Sequence, residues 1–250
     1  MSTTPVSDIV SSTKDSSLPD AVSVEEARRL GRFGHSKPTP DNSVILLIDH
    51  QVGLLSGVRD VSSLSELKAN ILGLAEVAKA LEIPVLLTSS NAQWQNGDLL
   101  PELRELFPDL PVIRRTGIIN AYEDPTFRAE LKKITDTGRD HVILAGVTIG
   151  TCATFPTLSL LNDGFPVFPV VDACGAWNRY EAEAAMSRMT LAGAELTTVF
   201  ALACELQEDW KKPTANAMLA PFRHHLPEYS LVVDNFWNNY GQKTVPDPFA

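Results

Sequence analysis

The stretch HVILAGVTIGTCATFPTLSLLNDGFPVFPVVDACGAW, His141 to Trp177, holds a complete structural unit. It opens on a short apolar run, His141–Gly146, suited to a strand buried on both faces. The glycine-bearing turn Val147–Thr151 leads into Cys152 and a helical pattern from about Thr151 to Asn162, with Gly164 placed as its C-cap. A second apolar run, FPVFPVVD (165–172), comes next. Strand, helix and strand at this spacing read as a right-handed βαβ unit of a parallel sheet.

The same alternation extends in both directions. Upstream, SVILLIDH (43–50) is a buried strand, and Ser63 with Glu66 forms a capping box before a helix. Leu64, Leu67, Ile71, Leu74, Ala78 and Leu81 line one face of that helix. PVLLTSS (84–90) is the next strand. A short helix at LPELRELF (100–107), the strand PVIRR (111–115) and a helix over Pro125–Thr137 lead into His141. Downstream, EAEAAMSRMTLAG (181–193) is a helix and AELTTVF (194–200) a sixth strand before ALACELQEDW (201–210). The expected architecture is α/β, a three-layer α/β/α arrangement with a six-stranded parallel sheet. Residues 1–42, rich in Ser, Thr, Pro and charge, are expected to form a flexible N-terminal arm with one short helix capped by Ser23 and Glu26. Residues 43–250 form the single expected domain, with a C-terminal extension.

Composition narrows the function classes. A chain of 250 residues with 44% hydrophobic content can bury a full core. With 31 acidic against 21 basic side chains the formal charge is −10, which argues against a nucleic-acid partner. No apolar run approaches the roughly 20 residues of a membrane span. Three cysteines, Cys152, Cys174 and Cys204, without a CxxC do not make a disulfide framework, so a reducing, cytoplasmic location is expected.

In open parallel sheets ligands bind beyond the carboxyl ends of the strands, where strand order switches. The polar residues there are Asp49 after the first strand, Arg114 and Arg115 at the end of the third, Cys152 beyond the fourth and Asp172 at the end of the fifth. A thiol at the first turn of a helix feels the positive end of the dipole, which lowers its pKa from about 8.5. The amides of Thr151 and Cys152 stand where they can cradle an oxyanion. Each residue also has a plainer reading: a buried structural cysteine, a carboxylate cap at Asp49, an exposed strand-end charge at Arg115. Cys204 reads as core.

Taken together these residues resemble the isochorismatase-like cysteine hydrolases. The resemblance runs from about Ser43 to Tyr240 and rests on VILLIDHQVGLLSGV (44–58), the cation after the third strand and Cys152 within residues 143–174. It is nearest the YcaC-like branch, through PVIRRTGIINAYEDPTF (111–127), AGAELTTVFALACELQEDW (192–210) and HHLPEY (224–229). The resemblance implies Cys152 as nucleophile, Asp49 as general base and Arg115 as the cationic member of a triad. It also implies a cis peptide between Val147 and Thr148 that aims the amides before Cys152 into the site, and assembly into homo-oligomers. Most members carry lysine where Arg115 stands; a guanidinium holds charge but does not shuttle protons. Nicotinamidases of the family bind a metal after the second strand, but LLTSSNAQWQNGD (86–98) has no histidine, so no metal and no cofactor are expected.

The expected function is hydrolysis of a small carboxamide, ureide or carbamoyl compound through a thioester. Gln51, Trp94, Asn120, Phe155 and Trp177 are candidate pocket residues, with core packing as the alternative for the aromatics. A redox or thiol-sensing protein using Cys152, and a non-catalytic oligomeric binding protein, are the competing functions.

Overall fold

A computed structural model describes residues 36–61 and 63–240. The Ser23–Glu26 helix start lies outside the described residues. The segment 36–42 is irregular but tied to residues 139–141: the Ser36 hydroxyl bonds His141 Nε2 at 2.7 Å, and Arg139 donates to the Pro40 carbonyl.

Five strands form one parallel sheet in the order β3-β2-β1-β4-β5. They are β1 (Ser43–Ile48), β2 (Val85–Ser90), β3 (Val112–Arg115), β4 (His141–Gly146) and β5 (Val167–Pro169). β1 is fully buried along its length, which explains its unbroken apolar sequence. The chain winds outward from β1 to β3, crosses back, and continues from β4 to β5. The strand order therefore reverses between β1 and β4, and the crevice above their carboxyl ends is the natural ligand position.

The helices are α1 (Val52–Ser56), α2 (Leu64–Ala80), α3 (Pro101–Leu106), α4 (Pro125–Thr135), α5 (Thr154–Asn162), α6 (Arg179–Ala192), α7 (Val199–Gln207), α8 (Ala215–His225) and α9 (Pro227–Tyr240). Right-handed crossovers put α2 and α3 on one face of the sheet and α4 and α5 on the other. The Ser63 hydroxyl accepts from Glu66 N, and Leu67, Ile71, Leu74 and Ala78 are buried beneath α2. Gly164 closes α5 in the left-handed region, with φ 88°. None of the described helices is long and apolar enough to cross a membrane.

The sheet has five strands rather than the expected six. Of AELTTVF, Glu195 N and Thr197 N donate to Val167 O and Pro169 O, and pairing with Val170 shrinks to one isolated bridge at Thr197. Two caps end it there. Thr198 Oγ1 accepts from Ala201 N and Asp172 Oδ1 accepts from Val199 N, so Val199 and Phe200 start α7. Asp172 is thereby a cap, not a free strand-end acid.

Candidate active site

β1 delivers Asp49 directly from its buried end. Asp49 sits at φ 59°, in the left-handed region that Asp tolerates better than most residues. Its N–H still bonds Thr88 O of β2, and Gln51 N bonds back to Asp49 O, so the strand gives way at once to a tight turn. Gly53 allows the 95–97 backbone to close over this turn: a Cβ there would lie 1.9 Å from the Gln95 carbonyl oxygen.

β3 delivers the cation, and strand alternation chooses which. Arg114 faces solvent and pairs with Asp98 at 2.9 Å, while Arg115 turns inward. Arg115 Nε donates to Thr88 Oγ1 at 3.0 Å, Nη1 donates to the Ile118 and Ile119 carbonyls, and Nη2 donates to Asp49 Oδ2. Both side chains of this ion pair are 0% exposed. Four bonds from a rigid fork fix the guanidinium, a geometry that an ammonium with three donors does not reproduce.

β4 delivers the thiol. The Val147–Thr148 peptide is cis. Cys152 lies in a π-helical turn, Ile149–Ala153, which precedes α5. The helix therefore starts about three residues later than the pattern at Thr151 suggests. Thr148 Oγ1 bonds Thr151 Oγ1 at 3.1 Å, and Thr151 Oγ1 donates to Cys152 Sγ at 3.6 Å. The Thr151 amide is 3.3 Å from the Thr148 carbonyl, so it is already partly engaged.

Asp49, Arg115 and Cys152 thus meet at the β1/β4 crevice, close enough for each charge to act on the thiol. Asp49 Oδ1 is buried without a hydrogen-bond partner, and the Cys152 thiol is near enough to act on the carboxylate. Burial pushes the Asp49 carboxyl above its usual range, and Arg115 and the thiol pull it only part of the way back.

The thiol overturns the expectation of a readily ionised sulfur. Cys152 is only 8% exposed, and its pKa is pushed up to about 12. Burial is the largest cause and the Asp49 charge the next, outweighing the Thr151 hydroxyl and Arg115. At pH 7 such a thiol is protonated. The arrangement therefore holds a neutral thiol beside a basic carboxylate.

The five candidate pocket residues have different surroundings. Gln51 is fully buried, and its amide is spent on the backbone: Nε2 donates to Ser90 O and Gly97 O, and Oε1 accepts from Ser90 N. Asn120 caps a short turn by accepting from Tyr122 N and donates to Glu123 and Ser159. Phe155 faces the Arg188 guanidinium of α6 at 5.9 Å. Trp94 and Trp177 are open to solvent, at 73% and 54% exposure. The residues that sequence reading missed are Thr88, the Ile118 and Ile119 carbonyls and the Thr148–Thr151 hydroxyl pair. Thr88 and the two threonines are the polar interruptions in otherwise apolar runs; carbonyl acceptors leave no side-chain signal.

Comparison with known proteins agrees with this fold. Residues 43–200 match the isochorismatase domain model. The probable hydrolase YcaC of Escherichia coli is 40% identical over 196 residues, covering 78% of this chain and 92% of that protein. The solved E. coli YcaC structure, an octameric hydrolase of unknown specificity, superposes with a TM-score of 0.77 at 39% identity, covering 83% of this chain and 99% of its own. YcaC from Pseudomonas aeruginosa, solved with hexane-2,5-diol and covalent acrylamide, gives a TM-score of 0.76 at 42% identity, covering 82% and 98%.

Proposed function

The chain belongs to the isochorismatase family, and from that premise we propose that it is a cysteine-dependent hydrolase that cleaves the C–N bond of a small amide-like compound through a thioester. The observation that carries the reading is the buried Asp49–Arg115 pair set against the Cys152 thiol. A carboxylate of raised pKa is a stronger base than an ordinary one, and Arg115 keeps it oriented. The covalent acrylamide of the Pseudomonas relative supports a nucleophile in this fold, since acrylamide is an electrophile that thiols attack at its vinyl carbon.

Because the resting thiol is neutral, proton removal accompanies attack. Asp49 takes the Sγ proton as sulfur bonds to the substrate carbonyl carbon. The Cys152 and Thr151 amides receive the oxyanion, the latter by giving up its long bond to Thr148, and the Arg115 charge favours the negative centre. Collapse breaks the C–N bond as protonated Asp49 passes its proton to the leaving nitrogen. Asp49 then takes a proton from water, which attacks the thioester; the C–S bond breaks, and sulfur recovers the proton as the carboxylic acid leaves. A carboxamide, ureide or carbamoyl group fits these steps, and none needs a metal or cofactor. The octameric E. coli relative supports homo-oligomeric assembly of this chain.

A thiol sensor reacts as an accessible thiolate, and the burial and raised pKa of Cys152 run against that reading. The test is ammonia release from a panel of small amides and ureides, with mass spectrometry of the acid-quenched protein. An acyl adduct on Cys152 and no turnover by Cys152→Ala are expected; turnover that survives Cys152→Ala refutes the assignment.

A further inference from the structure

Away from the catalytic end of the sheet, a carboxylate of α2 and two imidazoles of α8 converge. Glu76 lies twelve residues beyond Leu64, the start of α2, which is about 18 Å along the helix axis. Since α2 begins near the carboxyl end of β1 and runs back toward β2, this places Glu76 far from Cys152. Facing it are His224 and His225, the last two residues of α8. His225 Nε2 is 3.0 Å from Glu76 Oε1, and His224 Nδ1 is 3.2 Å from Glu76 Oε2. One donor atom from each of the three lies within 4.8 Å of the other two.

One detail separates this group from an ordinary ion pair. His225 Nε2 is buried and has no hydrogen-bond partner, although a carboxylate oxygen stands 3.0 Å away. The ring nitrogen is near the oxygen but does not point at it. His224 Nδ1 hydrogen-bonds Glu76 Oε2, but a buried His225 nitrogen that stands beside a carboxylate oxygen without aiming at it leaves its lone pair free to meet that oxygen's at a third point, as a shared cation requires. Ligands about 2.0–2.1 Å from a tetrahedral ion sit about 3.3 Å apart, close to the 3.0 Å between His225 Nε2 and Glu76 Oε1, and the third donor atom lies within 4.8 Å of the other two.

We infer that Glu76, His224 and His225 form a binding site for a divalent cation of the zinc type. Two imidazoles and one carboxylate suit a borderline metal such as Zn²⁺, and they leave a fourth position open to water. Three further features favour a cation. The imidazoles lie in the last turn of α8, where the helix dipole is negative. The chain carries a formal charge of −10. The adjacent cation, Arg223, is turned to Asp234 at 3.3 Å. A cleft of about 440 Å³ lined by Ala69, Arg223, Pro227, Ser230 and both histidines gives solvent access. The role is that of a clasp: a bound ion ties the α8–α9 segment to α2, and it is independent of the cysteine chemistry.

The test is equilibrium dialysis of the full, untagged, chelator-stripped chain against Zn²⁺, with metal per chain measured by mass spectrometry. The wild type is expected to hold one Zn²⁺ per chain, with Glu76→Gln and His224→Ala each weakening binding at least tenfold. Zn²⁺ should raise the melting temperature of the wild type and of neither variant. Co²⁺ in the same site should show visible d–d bands without a thiolate charge-transfer band, which separates it from cysteine ligation. Glu76→Gln preserves side-chain shape and His224 is exposed, so folded variants are expected, verified by circular dichroism. Binding that is absent from the wild type, or unchanged in both variants, overturns the inference.

Discussion

Arg115→Met is the perturbation that most directly tests the electrostatic core of the site. It deletes the partner of a carboxylate that is 0% exposed, and an uncompensated buried charge costs about 3–5 kcal/mol. The other lost bonds add less. The Ile118 and Ile119 carbonyls belong to exposed residues and can turn to water, while Thr88 Oγ1 keeps its own bond to the Ile113 carbonyl at 2.8 Å. A loss of about 4 kcal/mol is therefore expected. Asp49→Asn strands the guanidinium instead, but Arg115 retains its two carbonyls and Thr88, so about 2–3 kcal/mol is expected. With both charges gone neither penalty applies, and the double variant should lose only about 1–2 kcal/mol. The coupling energy is then about 4–6 kcal/mol. Urea denaturation monitored by circular dichroism at one fixed chain concentration measures all four corners, since self-association would otherwise enter the apparent stability. The sign of the pH dependence supplies a second reading. Without Arg115 the folded-state pKa of Asp49 rises further, so the Arg115→Met deficit should grow as pH climbs through the already raised wild-type pKa of Asp49 toward the higher one of the variant, and shrink in acid. Single-variant losses that simply add, with coupling below about 0.5 kcal/mol, would refute the reasoning.

Three further outcomes are expected. Alkylation of Cys152 by iodoacetamide should keep accelerating with pH beyond 9, because the thiol titrates at about 12; a plateau near pH 9 would show an ordinary thiol. Burial lowers the pKa of His50 to about 4 while its Nε2 donates to the Ala173 carbonyl, so the unfolded chain alone takes up that proton between pH 6.5 and about 4. Stability should fall by about 3 kcal/mol across that window as pH drops, and His50→Gln should flatten the slope in chemical denaturation. Thr88→Val, which keeps shape but removes the acceptor for Arg115 Nε, should cost about 1–3 kcal/mol and lower kcat more than it raises KM; a change in KM alone would show that Thr88 does not position the guanidinium.

The fold was legible because its determinants are local. The short apolar runs at 43–48, 85–90 and 141–146 are strands of the sheet, as their length and bounding turns predict, and the Ser63 and Gly164 signals start and stop helices at the positions they predict. The sixth strand failed for a nonlocal reason. Thr197-Thr198-Val199-Phe200 has strand composition, but Asp172, remote in sequence, caps Val199 and commits it to α7. The helices α8 and α9 were also unread, since Pro221 lies inside the first and the apolar pattern of the extension admits both a helix and a covering loop. The meeting of Glu76 with His224 and His225 depends on the packing of α8 against α2, and no spacing rule reaches across 148 residues.

The same division explains why the meeting of Asp49, Arg115 and Cys152 was legible in the sequence and the protonation of the thiol was not. Position at a strand end is a topological property, and topology follows from the order of elements. Ionisation is a small difference between opposed contributions, and sequence exposes only some of them. The helix start and the arginine, both readable, stabilise a thiolate. Burial and the negative Asp49 beside the sulfur oppose it, and both arise only when the chain is folded. The consequence is chemical. An enzyme with a standing thiolate would use Asp49 as a spectator, whereas a neutral thiol obliges Asp49 to accept a proton in the attack itself. Activity should then track deprotonation of Asp49, vanishing as pH falls through its raised pKa and showing no second rise near pH 9. Asp49→Asn should abolish turnover from neutral pH up to pH 9, since the amide that replaces the carboxylate accepts no proton and the buried thiol stays protonated there. Recovery of activity by that variant at pH 9 would mean that sulfur ionises unaided, and the proton-transfer step assigned to Asp49 would have to be withdrawn.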